Sequence, residues 1–190
     1  MSTSEIYEYP DHKPEYNFPG RETKQNPEAM FAEQFARSYQ RRFIEIHSRT
    51  RKKQTLFIRE VPVAGNGIPD LLVFSWNHVP EYNTVSPLVL KDFSPTLRAF
   101  EIKISNWRKG LMQAHRYHYF SHASFLVLPW NKQKLLKLHL NIFQTLRIGL
   151  WLFDPKSDRI INIFTPRPRK PKSIKYAEKA IALTEKAISL

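Results

Sequence analysis

The chain has 190 residues, 42% of them hydrophobic and 25% charged, which suits one domain with a real core. It contains no cysteine, so disulfide scaffolds, thiolate zinc sites and cysteine nucleophiles are excluded. Its formal net charge of +13 repels itself and calls for a polyanionic partner: nucleic acid first, an anionic membrane as the rival, a merely basic surface as the plain alternative.

Residues 1–25 scatter Tyr7, Tyr9, Pro10, Pro14, Tyr16, Pro19 and Gly20 without a period, which predicts an extended or disordered N-terminal arm. Pro27 and Glu28 suit the first turn of a helix, and Met30, Phe31, Phe35, Tyr39 and Phe43 form its apolar stripe. Thr55–Val63 reads as a strand, followed by a turn at Ala64-Gly65-Asn66-Gly67. Ile68–Trp76 reads as a central strand, because Leu71-Leu72-Val73-Phe74 is apolar on both faces. A long loop over 77–95 and a third strand at Leu97–Ser105 follow. Then come a helix over Trp107–Ser121, a strand over Ser124–Trp130 and a basic helix over Lys132–Ile148. Leu150–Phe153 and Ile160–Phe164 predict a hairpin around Asp154-Pro155-Lys156-Ser157-Asp158. Pro166–Lys172 predicts a stiff basic linker. In the last helix Ile174, Ala177, Ile181, Thr184 and Ile188 make a narrow seam that can pack on the core or pair with a second chain as a homodimer. The expected organisation is an arm (1–25), an α/β core (26–166) and a linker with an amphipathic helix (167–190). The core would be a mixed central β-sheet flanked by helices on both faces. No run reaches the ~18 apolar residues that span a bilayer, and the start lacks a signal-peptide pattern. A soluble cytoplasmic protein without a membrane partner is the expectation.

Glu101-Ile102-Lys103 is one of four acid-x-Lys triplets, with Asp11-His12-Lys13, Glu22-Thr23-Lys24 and Asp154-Pro155-Lys156. Only this one falls on an expected core strand, where residues i and i+2 share a face. A charged pair there is costly unless matched, and an ion pair is the plain explanation. Asp70 opens the preceding apolar strand, where a turn cap would also account for it. If the two strands pair, Asp70 and Glu101 come close enough to repel, and a divalent cation with hard oxygen ligands, Mg²⁺ or Mn²⁺, would relieve them. One helix later, Gln113 and Tyr117 are i and i+4 neighbours.

Pro69-Asp70, Glu101-Ile102-Lys103 and Gln113-x-x-x-Tyr117, in this order, resemble the PD-(D/E)XK nuclease superfamily, the last motif its RecB-like exonuclease branch. The resemblance spans roughly residues 28–130 and implies a restriction-endonuclease-like fold and hydrolysis of phosphodiester bonds by metal-activated water, in DNA rather than RNA, as in DNA repair or defence. It implies that Asp70, Glu101 and the Ile102 carbonyl hold the ion, joined by a glutamate of the first helix, Glu33 ahead of Glu28. Lys103 would orient the water or neutralise the developing phosphorane charge, and Gln113 and Tyr117 would position substrate or water. Arg108, Lys109 and Arg116 sit where a nucleic-acid backbone could pass.

Two other readings compete. His115, His118 and His122 have helical spacing and could bind zinc, though no further ligand is evident. A non-catalytic basic nucleic-acid-binding protein on the same fold would explain the charge, but not why Asp70, Glu101 and Lys103 interrupt core strands. Geometry discriminates: Asp70 and Glu101 must share a face of the sheet.

Overall fold

The structure is a computed structural model that describes residues 6–8, 26–48, 53–63, 65–77 and 94–188. Its strands are β1 (Ile6–Glu8), β2 (Lys53–Arg59), β3 (Leu71–Asn77), β4 (Thr96–Ile102), β5 (Ala123–Pro129), β6 (Ile148–Asp154) and β7 (Arg159–Phe164). Its helices are α1 (Pro27–Ser48), α2 (Trp107–Arg116), α3 (Gln133–Lys137), α4 (Leu140–Leu146) and α5 (Ile174–Ile188). The strands form one mixed sheet in chain order, β1 to β7. β4, β5 and β6 run parallel, and the other neighbours are antiparallel except β1 with β2. Parallel neighbours need crossovers. Here α2 joins β4 to β5, and α3 with α4 joins β5 to β6.

Side-chain alternation sends the two faces of each strand into two cores. On one side Phe31, Phe35, Tyr39 and Phe43 of α1 meet Phe57, Val73, Phe100, Phe125, Trp151 and Phe153. This core is largely aromatic; Phe100 and Phe125 stack at 4.7 Å. Burial there pushes the Tyr39 hydroxyl up to about 12. On the other side Leu72, Phe74, Ala99, Leu126 and Leu150 are covered by Leu111, Ala114 and Tyr117 from α2 and its extension, Phe143 of α4, and Ala180 and Ile181 of α5. The expected helix–sheet–helix layering is present.

Several expectations change in detail. Ile6–Glu8 is not part of a free arm: it adds a parallel edge strand, with Ile6 opposite Phe57. The rest of that arm, and residues 78–93 of the long loop, lie outside the described residues. Met30 is on the exposed side of α1. The helix begun at Trp107 ends at Arg116 and passes into a 3₁₀ turn, Tyr117–Tyr119, that redirects the chain into β5. The basic stretch 132–148 is two short helices, broken at Leu138–His139, and Ile148 already belongs to β6. The break seats the His139 ring on Trp107 at 5.0 Å. The 166–172 segment is no free linker. Its Arg169 N–H donates to His122 O at 2.8 Å, its Lys172 N–H to His118 O at 2.9 Å, and the adjoining Ser173 N–H to Tyr119 O at 2.9 Å. These bonds deliver α5 to the core, where Ala177, Ala180, Ile181 and Thr184 are buried, while Ile174 of the expected seam is exposed. The seam is therefore used within the chain. No helix among the described residues is long and apolar enough to cross a membrane.

Gly149 tests this packing. It faces Phe125 across the β5–β6 pair, and a Cβ added to it would lie 2.1 Å from Phe125 Cδ1. Overpacking of this kind costs about 1–3 kcal/mol. Gly149→Ala is expected to lower unfolding stability in urea by that amount, and adding Phe125→Leu to restore part of it.

Candidate functional site

Register decides where the acids point. Leu71 is opposite Phe100 in the antiparallel β3–β4 pair, so the next pair outward is Asp70 with Glu101. Leu72 and Ala99 lie in the α2-side core, whereas Leu71 and Phe100 lie in the α1-side core. By alternation Asp70, Glu101 and Lys103 all emerge on the α2 side. The two carboxylates therefore share a face.

α2 closes directly over them. A Cβ at Gly110 would meet Lys103 Cγ at 2.9 Å and Glu101 Cγ at 3.7 Å, so only glycine lets the helix approach this far. Gln113 and Tyr117 follow Gly110 by three and seven positions, on the same side of the helix. The helix starts at Asn106, whose side chain accepts from the Lys109 N–H.

The side chains form one connected group. Glu101 is 1% exposed. It accepts a short hydrogen bond involving the Tyr117 hydroxyl, and its Oε1 pairs with Lys103 Nζ at 2.9 Å. Lys103 Nζ also donates to Glu28 Oε1 at 2.9 Å, and the Ile104 N–H lies 3.4 Å from Glu28 Oε2. Asp70 Oδ2 accepts from the Ile102 N–H at 2.6 Å. Gln113 Oε1 is buried with no hydrogen-bond partner among the described residues.

The charges do not balance: Glu28, Asp70 and Glu101 surround a single ammonium. Burial, then the Glu101 charge, push the Asp70 carboxyl up to about 7, against the opposing pull of Lys103 and the Ile102 N–H. Burial also raises Glu101, offset in part by Tyr117 and Lys103. Burial alone would lower the Lys103 ammonium, but Asp70, Glu101 and Glu28 hold it above its ordinary value. Tyr117 is raised by burial and by the Glu101 charge, and stays a phenol. Its oxygen also lies 3.0 Å from the Ile68 carbonyl. A phenol has one proton. That proton is shared between the Glu101 carboxylate and the Ile68 carbonyl.

Of the residues singled out from sequence, Asp70, Glu101, Lys103 and Tyr117 are brought together, with the Ile102 backbone between them. Glu33 is not. It pairs with Arg37 one helical turn away, at 2.8 Å on the exposed face of α1, and Glu28 is the first-helix acid at the site. The signal for Glu28 was its place at the start of the helix, beside the ends of the strands. Arg108, Lys109 and Arg116 are exposed on α2. The helix stops at Arg116, so His118 and His122 lie beyond it, and only the His115 and His118 rings meet, edge to face at 5.7 Å. His118 Nε2 contacts Leu146 O at 3.1 Å, and His122 Nδ1 accepts from the Leu97 N–H at 3.1 Å. Both are held by backbone, and burial lowers both below the usual imidazole range. Among the described residues no group of three or more His, Asp or Glu is arranged to hold a metal ion.

A scan against protein-family models gives no match, and neither do searches of curated proteins and of solved structures.

The raised Asp70 pKa has a measurable sign. Folded Asp70 keeps its proton to about pH 7, whereas the unfolded chain releases it near the ordinary value of about 3.9. Between those values the folded state binds more protons, so stability falls as pH rises. Asparagine does not titrate. In EDTA the melting temperature of Asp70→Asn relative to wild type is expected to climb by several degrees between about pH 4 and pH 8. A difference that stays constant across that window would contradict the assignment.

Proposed function

We propose that the protein is a metal-dependent nuclease of the PD-(D/E)XK type that hydrolyses phosphodiester bonds, in DNA rather than RNA. The observation that carries this reading is the meeting of Asp70 and Glu101 at one strand end, with Asp70 Oδ2 accepting from the Ile102 N–H at 2.6 Å and Lys103 Nζ 2.9 Å from the Glu101 carboxylate. An ion pair alone would need one acid, and here three meet one ammonium.

The donor chemistry fits a hard divalent cation. Mg²⁺ is commonly held by one or two carboxylates, with water and substrate phosphate completing its shell, so a closed three-acid cage is not required. Asp70, Glu101 and the Ile102 carbonyl would hold it. Such an ion supplies water of lowered pKa and charge stabilisation on phosphate oxygens.

The remaining work belongs to the chain's own side chains. Tyr117 fixes one Glu101 oxygen and Lys103 the other, which sets the carboxylate plane. Glu28 holds the Lys103 ammonium from the far side, so its charge stays over the site, where a phosphate in transition would need it. The Ile102 N–H orients Asp70. Gln113 has an unsatisfied carbonyl on the same side of α2 and can accept from a water or a nucleotide. Asn106 and the first turn of α2 carry the nearby cations Arg108 and Lys109 toward a backbone.

The test is a cleavage assay on linear duplex, single-stranded and branched DNA and on RNA, with Mg²⁺, Mn²⁺ or EDTA. Asp70→Asn and Lys103→Ala are expected to lower the rate at least about a hundredfold, the scale of losing a charge that acts in the transition state. Glu28→Gln should cost about tenfold and Glu33→Gln almost nothing. Wild-type rates in Asp70→Asn and Lys103→Ala, with folding verified, would refute the reading. Binding without cleavage under any metal would favour a non-catalytic nucleic-acid-binding protein. Independently, millimolar Mg²⁺ is expected to raise the melting temperature of wild type and not of Asp70→Asn, since a ligand of the native state stabilises it.

A further inference from the structure

Between Glu101 and Asp154 the sequence has no acidic residue. The cations of this stretch include Arg108 and Lys109 on α2, and Lys132, Lys134 and Lys137 on α3 and the turn before it. None of these five makes an ion pair among the described residues. The two elements start from one edge of the sheet. α2 begins five residues after Ile102, and the turn before α3 begins at Trp130, three residues after Val127, the register partner of Ile102. Trp107, the first residue of α2, stacks on His139, two residues past the end of α3, at 5.0 Å, while the Arg108 guanidinium sits 4.8 Å from the Trp107 centroid. The two elements thus bring a strip of cations and rings to the edge where β4 delivers Glu101 and Lys103.

This strip has an unusual apolar component. Trp130 is 38% exposed and Leu138 79% exposed. An indole placed among unpaired lysines can stack on a nucleobase while the lysines follow the phosphates. A paired and stacked duplex offers few base faces. A single strand offers them all, and it can bend to bring a phosphate down to Glu101, which is 1% exposed. We propose that this strip is the binding track for single-stranded nucleic acid, with Trp130 as its stacking platform. The proposal rests on the nuclease reading only for the destination of the strand; the track itself is argued from charge and aromatic placement. An anionic membrane surface is the competing partner for lysines beside an exposed leucine.

The experiment is fluorescence-anisotropy titration in EDTA, where no hydrolysis is needed, using a labelled mixed-sequence single strand and the matching duplex over a range of salt. Vesicles of anionic and neutral phospholipid form a third arm, read by flotation. Wild type is expected to bind the single strand more tightly than the duplex. Trp130→Ala should weaken single-strand binding about tenfold, the scale of one lost base stack, and duplex binding far less. Lys134→Gln with Lys137→Gln should lower the slope of log K against log salt by about 1.4, from two phosphate contacts at about 0.7 each. All three positions lie on the surface, and circular dichroism and melting confirm that each variant folds.

Equal or tighter duplex binding, an unchanged single-strand affinity in Trp130→Ala, or binding to anionic vesicles in preference to oligonucleotide would each overturn the proposal. A protein that cleaves nothing yet keeps a Trp130-dependent preference for single strands loses the nuclease reading and keeps this one. A protein that cleaves with no Trp130 dependence does the reverse.

Discussion

Everything at the candidate site follows from putting Glu101 inside the apolar packing between a sheet and a helix. A carboxyl at that depth must be neutralised, paired or bound to a cation. The chain supplies the Lys103 ammonium, 2.9 Å from Glu101 Oε1, and the Tyr117 hydroxyl on the other oxygen. Asp70 beside it and Glu28 beyond Lys103 then exceed what one lysine can balance. Such an arrangement adds little to stability, since removing one partner of a buried pair costs about 3–5 kcal/mol while an apolar replacement is often tolerated. A fold that carries this unbalanced group gives up stability for it, and a role outside stability accounts for the expense.

The sheet is arranged to make that placement possible. β4 sits between an antiparallel neighbour, β3, which Asp70 immediately precedes, and a parallel neighbour, whose crossover is α2. The antiparallel side contributes the second acid. The crossover contributes Tyr117 and the close approach at Gly110. α1, on the opposite side, reaches the same edge only through its first turn, where Glu28 lies. Three layers thus converge at one strand end. The far end of α1 is fastened separately: Arg41 pairs with Asp158 at 3.0 Å, and Arg42 donates to the Asp158 carbonyl at 2.5 Å, both in the β6–β7 turn.

Much of this was legible in the sequence, and the reasons differ by element. Period-two patterning and a pure apolar run marked β3 and β4, and i, i+2 spacing put Glu101 and Lys103 on one face. Asp70 was visible as an acid where none was needed. What could not be read were the long-range partners. By sequence Glu33 stood ahead of Glu28, and the docking of α1, which brings its first turn to Lys103, reverses that order. The break in 132–148 has no glycine or proline to announce it. Arg147 takes a left-handed φ of 56° where glycine would be usual, so tertiary contacts outweighed propensity there. Prolines between 166 and 171 suggested a spacer, yet backbone hydrogen bonds to His118, Tyr119 and His122 hold the segment down. Such bonds depend on the backbone path and leave no trace in residue identity.

The order of strands in space is their order along the chain. Every strand after the first two therefore joins an edge that its predecessor has already built, and no strand waits for a later one to be inserted between it and its neighbour. A nascent chain leaving a ribosome can lay this sheet down progressively, with modest loop-closure cost at each addition. The exception is the final helix. It joins α2 and α4 over the face that holds Ala99, Leu126 and Leu150, so its share of that cover arrives only after all the described strands have been made. A chain truncated before residue 174 would lose Ala177, Ala180, Ile181 and Thr184 from that cover, and the apolar surface they seal would be open to aggregation.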